Sequence, residues 1–299
     1  MKFDSSTFLV FLAAFAPLLV VILAITWHRN RRGRVSKPPQ TEKLLRPPGY
    51  SLSARLEKTL DALINNLLAA SMLAAFSGGG VLVVAGLLGA HASARFLAVG
   101  LLIAAPFIAG CVWTSLRAFR RFQEAENIRL GISGEQAVAE SLNEAADAGF
   151  RAFHDLPDEK IGNIDHVAVG TRGVFLIETK SRRRRAGRNG QAEHEVIYDG
   201  KFLQFPFGRD AKPIDQAKIN AKWLSNFLEK KTGEPVWVEP LVVLPGWFVQ
   251  SSEKGEFPVK VMNANYLPGF LRRQPENIAP AQVRRIITAL DEKCRDVEF

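Results

Sequence analysis

Asp165, Glu178 and Lys180 are residue types that can hold a metal ion and work on a water beside it. They sit near the ends of one stretch, Asn163–Lys180, in which two apolar runs flank Gly170-Thr171-Arg172-Gly173. Such runs around a glycine-bounded turn read as a β-hairpin. With the turn centred between Thr171 and Arg172, Asp165 falls directly opposite Glu178. Side chains alternate along a strand, so Lys180 shares a face with Glu178. Like charges placed opposite each other destabilise a sheet. A shared divalent cation removes the conflict, and oxygen ligands completed by water suit Mg²⁺. The arrangement depends on register. A two- or four-residue loop keeps the acids together, and an odd-length loop sends them to opposite faces.

The pattern resembles a known family. Asp165 followed by Glu178-Thr179-Lys180 is similar to the D…(D/E)xK signature of restriction-endonuclease-like nucleases. Gly134-Glu135, Asn163-Ile164-Asp165-His166, the Glu-Thr-Lys run and Gln216…Asn220 together resemble the NERD (nuclease-related) domain over about residues 131–249. The resemblance implies an α/β fold, a mixed sheet flanked by helices. It implies a metal site at Asp165 and Glu178 with the Thr179 carbonyl as a third ligand, and Mg²⁺ as cofactor, with Mn²⁺ as the alternative. It also implies active-site roles for Glu135 and Gln216. By themselves, Glu135 reads as a first-turn acid favoured by a helix dipole, and Gln216 and Asn220 as the polar border of an apolar stripe.

The hairpin needs a scaffold, and the flanking sequence supplies candidates. Ser133-Gly134-Glu135-Gln136 has the form of a capping box and predicts a helix start, with Val138, Leu142 and Ala145 inward and Gly149 as its stop. Phe150–Leu156 predicts a strand. Asp199-Gly200 predicts a type I′ turn between His194–Tyr198 and Lys201–Phe205. Pro213 opens a helix with Ile214, Ala217, Ala221, Leu224 and Leu228 inward, and Gly233 ends it. Val236–Leu244 predicts a buried strand, Phe257–Met262 an edge strand and Pro280–Cys294 a helix. Arg182, Arg183, Arg184, Arg185 and Arg188 follow the strand that carries Glu178. They read as a solvated loop, or as phosphate contacts that position a nucleic-acid backbone without reading its sequence.

The charge balance assigns the basic excess. The chain of 299 residues carries a formal net charge of +9. Residues 1–126 hold 14 Lys and Arg against 6 Asp and Glu, whereas residues 127–299 hold 25 against 24. The high pI therefore says little about nucleic acid. Cys111 and Cys294 offer neither a disulfide framework nor a zinc cluster, in keeping with a reducing compartment.

The N-terminal part is apolar. Phe8–Trp27 is long enough to span a bilayer, and two further runs follow at about Leu67–Ala90 and Phe96–Leu116. Nine Lys and Arg lie between residues 28 and 60. This bias predicts a multi-pass protein of the inner (cytoplasmic) membrane, its N-terminus outside and its C-terminal domain in the cytoplasm. The expected division is an anchor at 1–27, a basic linker at 28–66, a transmembrane hairpin at 67–116 and the nuclease-like domain at 127–299. The expected activity is hydrolysis of phosphodiester bonds of DNA at the cytoplasmic face. Two other readings use the same residues: a nucleic-acid-binding module without catalysis, and a partner-docking domain held at the membrane.

Overall fold

The computed structural model describes residues 27, 43–88, 94–159, 161–184, 194–252 and 257–297. The expected first span and residues 28–42 of the expected linker lie outside the described residues, apart from Trp27. The described residues form two compact units, one of residues 58–125 and one combining 42–57 with 126–298.

In the first unit, two helices are long and apolar enough to cross a membrane. Helix α1 is Tyr50–Leu88 and helix α2 is Ala94–Asn143. Their candidate spans, Tyr50–Ser77 and Gly100–Asn143, have mean hydropathies of 1.4 and 1.6. The apolar part of α2 ends at Leu116, where Arg117, Arg120 and Arg121 begin. Leu101 and Leu102 on α2 are 65% and 75% exposed.

The second unit is mixed α/β. A five-stranded sheet has the order β10-β8-β4-β3-β2. Its strands are β2 (Arg151–Leu156), β3 (Ile164–Gly170), β4 (Gly173–Thr179), β8 (Val238–Val243) and β10 (Lys260–Met262). β2, β3 and β4 form an antiparallel meander, and β8 and β10 add on in parallel. A smaller sheet joins β5 (Glu195–Tyr198), β6 (Leu203–Phe205), β7 (Gly208–Asp210) and β9 (Phe248–Ser251). Helices α3 (Lys212–Thr232) and α5 (Pro280–Cys294) cover one face of the large sheet, against Val167, Val169, Val174 and Leu176. The C-terminal part of α2 and the short α4 (Leu267–Arg272) cover the other, against Ala168, Phe175 and Ile177. The predicted inward stripe of α3 is buried, and Gly233 closes that helix in the left-handed region.

Two local expectations are corrected. Ser133 caps nothing, because α2 runs unbroken through it to Asn143. A glycine inside a helix costs about 1 kcal/mol against alanine, yet Gly131 and Gly134 stand there because neighbours approach closely. A Cβ on Gly131 would meet Leu52 Cδ1 at 3.0 Å, and one on Gly134 would overlap the Ser181 side chain. The second turn is centred on Gly200-Lys201, with Tyr198 opposite Leu203. The Asp199 carboxylate accepts from the amides of Lys201 (2.9 Å) and Phe202 (2.7 Å), so the aspartate precedes the turn instead of forming its first half.

The expected linker also changes character. Residues 43–49 are part of the α/β unit. β1 (Leu44–Leu45) pairs with β11 (Arg295–Val297). Arg46 reaches both oxygens of Asp296 (2.7 and 2.6 Å) and Asp155 Oδ2 (3.0 Å). The side chains of Arg46 and Asp155 are 13% and 4% exposed, so the Arg46–Asp155 pair is largely out of water. Arg46→Ala should cost the unit on the order of 3 kcal/mol, because it strips the countercharge from a buried acid. Urea unfolding followed by tryptophan fluorescence measures this, and an unchanged midpoint would show that the segment is a mere tether.

Candidate active site

β3 and β4 pair with Gly170 opposite Gly173, Val169 opposite Val174 and His166 opposite Ile177, across a two-residue Thr171-Arg172 loop. One step further in this register brings Asp165 opposite Glu178. Asp165 Oδ2 accepts from the Thr179 amide at 2.7 Å, which ties the start of β3 to the end of β4. The Lys180 amide in turn donates to the Val243 carbonyl at 2.9 Å, locking the end of β4 to β8. The site thus lies where β2, β4 and β8 end and β3 begins. Carboxylic side chains concentrate there, because the strands run out and leave their last residues beside one another.

Glu135 reaches the same place from α2. It is buried, and its Oε2 accepts from the Gly49 amide at 2.9 Å. Gly134, next to it, has no side chain to keep Ser181 and Thr179 away from the helix. A fourth acid, Asp155, closes the group. It has the one positive φ of a non-glycine among the described residues, at 49°. Its carboxylate accepts from Arg46, from the Ser51 amide (3.2 Å) and hydroxyl, and from Asn163 Nδ2 (3.2 Å). Sequence reading missed Asp155. The available signal was Asn163, which lies next to the motif and donates to it.

This crowding raises the affinity of the acids for protons. Burial pushes Glu135 up to about 8, helped by Asp165 and Asp155 and opposed by the Gly49 amide. Asp165 keeps some surface open, yet the protein atoms packed around its carboxylate push it up to about 7, against the Thr179 amide and Lys180. Burial, then Asp165, push Glu178 well above the usual carboxylate range, and Lys180 opposes them. Glu178 Oε2 is buried without a hydrogen-bond partner. Desolvated acids with an orphaned oxygen lack positive charge, and one lysine does not supply enough. A divalent cation would fit, held by oxygens alone. Among the described residues no group of three or more His, Cys, Asp or Glu is arranged as a metal cage. The donors on offer are therefore two carboxylates, with backbone oxygen and water to complete the shell.

The other predicted residues divide. Gln216 is half-buried on α3, whereas Asn220, one turn on, is 1% exposed with an unpartnered Nδ2. Asn220, the residue given less weight in the sequence, is the one held out of water on the face of the sheet that carries Glu178. Arg182 pairs with Asp210, and Arg184 donates to the Gly246 carbonyl. Arg183 is 59% exposed and lies 3.6 Å from Glu126. Arg185 and Arg188 lie outside the described residues. His166, read as structural, is fully buried with Nδ1 2.8 Å from Nδ1 of His154, on the face opposite Asp165.

Residues 130–245 match the family model of the nuclease-related domain. The chain carries a NERD domain. The match begins on α2 just before Gly134-Glu135 and ends at Pro245, just past β8, so it takes in all four acids of the site but not the Arg46–Ser51 segment that supports them. Neither a curated protein nor a solved structure matches the chain.

The acids of the NERD domain bind protons more tightly folded than unfolded. The stability they contribute is complete below about pH 4 and is lost as pH rises through about 7 and 8, the folded values of Asp165 and Glu135. The melting temperature of chelated protein should therefore fall from pH 5 to pH 8, and less so in Glu135→Gln. Millimolar Mg²⁺ should raise it at pH 8 and hardly at pH 5. A melting temperature that ignores Mg²⁺ at both pH values would count against a cation at these acids.

Proposed function

We propose that this protein is a membrane-anchored, metal-dependent nuclease that hydrolyses phosphodiester bonds of DNA at the cytoplasmic face, with a restriction-endonuclease-like active site. The observation that carries the reading is the pairing of Asp165 with Glu178, one with its oxygen orphaned, beside Lys180 in a nuclease-related domain. A domain that only binds or docks has no use for buried, charge-starved carboxylates.

A phosphodiester resists attack because its charge repels the nucleophile. Asp165 and Glu178 would hold Mg²⁺ or Mn²⁺, with the Thr179 carbonyl as a further oxygen. The bound ion would lower the pKa of water and offset charge on phosphoryl oxygen. Lys180 would orient the attacking water and set a fixed positive charge against the charge that builds on the phosphate. Glu135, held at one oxygen by Gly49, would take and release a proton near neutral pH. Gln216 and Asn220 would line the side covered by α3. Arg183, exposed and held only at 3.6 Å from Glu126, would turn to a phosphate, while Arg182 and Arg184 brace the loop that presents it.

The test is cleavage of plasmid DNA by the full chain in detergent. Cutting should need Mg²⁺ or Mn²⁺ and vanish in Asp165→Asn and Glu178→Gln. Lys180→Met should lose about 10²–10³-fold, the usual cost of one preorganised charge-stabilising group. Lys180→Arg should not restore it, because the planar fork cannot take the place of a point charge. Salt-sensitive DNA binding that survives all of these without cutting would favour the binding module. Asn220→Leu separates site from scaffold. It should leave stability equal or higher, since it removes an unpaired buried amide, and lower the cleavage rate. Unchanged cleavage would remove Asn220 from the site.

A further inference from the structure

The membrane-candidate unit contains a charged cavity that the nuclease reading does not use. In that unit α1 and α2 run antiparallel, in a register set by two contacts. The rings of Phe76 and Phe107 lie 6.2 Å apart. Leu73 Cδ1 is 3.1 Å from where a Cβ on Gly110 would stand. The same register brings Ala62 and Asn66 level with Arg117 and Arg121. Both helices change character at this level. α1 is apolar from Leu67 onward and carries Asp61 below it, and α2 is apolar up to Leu116 and then turns basic.

A cavity of about 350 Å³ opens there, lined by Ala62, Asn66, Arg117, Arg120, Arg121 and Glu124. Arg121 is 2.8 Å from Glu124, which leaves two arginines in excess. The Arg117 guanidinium is 3.8 Å from the centre of the Trp113 ring, so its plane is held in place. Arginine forks match phosphate oxygens in pairs. One turn toward the apolar end of α2, Trp113 beside Arg117 and Leu116 beside Arg120 are each more than half exposed. A free anion would satisfy the arginines and leave these side chains in water. A ligand with a phosphate at one end and hydrocarbon at the other satisfies both.

We propose that this cavity binds the phosphate of an anionic phospholipid, with the acyl chains lying along the apolar surface of α2. The inference rests on the reading of α1 and α2 as bilayer-crossing helices. Basic pockets between such helices on the cytoplasmic side are a general means of holding lipid head groups.

The full chain, reconstituted in phosphatidylcholine vesicles with a minority of phosphatidylglycerol, is washed with alkaline carbonate, extracted in detergent, and its retained lipid quantified. Near-stoichiometric phosphatidylglycerol is expected, with little phosphatidylcholine. Arg117→Gln/Arg120→Gln should lower retention by about 30-fold, taking each basic group near an anionic surface as worth about fivefold. Arg117→Lys/Arg120→Lys keeps the charge and should still lose most of the lipid. Arg120→Gln alone, which leaves the Trp113 stack intact, should lose about fivefold. Retention by the lysine pair equal to the unaltered chain would overturn the built site in favour of diffuse attraction. Stoichiometric displacement of the lipid by duplex DNA would also overturn it. Release by carbonate would overturn the membrane reading and the proposal together. Firm integration without a preference for anionic lipid would overturn the proposal alone. DNA cleavage in detergent should be unchanged by the Arg120 substitution, so the nuclease reading stands or falls separately.

Discussion

The hydrogen bond from the Thr179 amide to Asp165 holds together two strand ends that would otherwise repel. Strand β3 begins with an acid and β4 ends with one, and the hairpin register places them face to face. Without a cation, the carboxylates resolve the conflict by holding protons, and the rise in their affinities reflects that. The Lys180 amide, bonded to Val243, keeps the end of β4 in line so that its side chain remains beside the acids. The arrangement therefore stores unfavourable electrostatics at one sheet end, and a positive ligand would release it.

The support for that site comes from far away in sequence. Arg46, Gly49 and Ser51 precede the nuclease-related match by some eighty residues, yet they bond Asp155, Asp296 and Glu135. Arg46 spans Asp155 and Asp296, so the segment joins the acidic sheet end to the C-terminal strand. The segment that leads into the first apolar helix is thus also a part of the site's wall. A domain cut at residue 127 would lose the donor that holds Glu135 and the cation that balances Asp155.

Helix α2 shows how packing overrides local signals. Its sequence around Ser133 contains two glycines and a capping pattern, both of which argue for a break. The helix continues because Leu52 and Ser181 pack against the bare backbone at Gly131 and Gly134, and because Val138, Leu142 and Ala145 bury against the sheet. The same close approach brings Glu135 within reach of Asp165. Structural and chemical roles of Gly134-Glu135 are therefore one arrangement: the missing side chain makes room, and the adjacent acid uses it.

Much of this was readable from residue order alone, because its causes are local. Apolar alternation around Gly170–Gly173 put Asp165 opposite Glu178 for any even-length loop, and the folded hairpin supplied the two-residue loop; period 3.6 with Pro213 and Gly233 was enough to bound α3. Lys180 followed from strand alternation. Glu135 came from a family likeness rather than from spacing. Three features depended on the folded chain. Asp155 joined the acids because long-range partners bend β2 at its end. Asn220 became the buried residue of its pair because the sheet, not the helix, decides which flank of the stripe is covered. Residues 43–51 became a wall of the site because hydrogen bonds over roughly a hundred residues have no periodic signature. Patterns repeat along a strand or helix and can be read in one dimension, whereas a charge balanced by a distant backbone amide exists only once the chain has closed on itself.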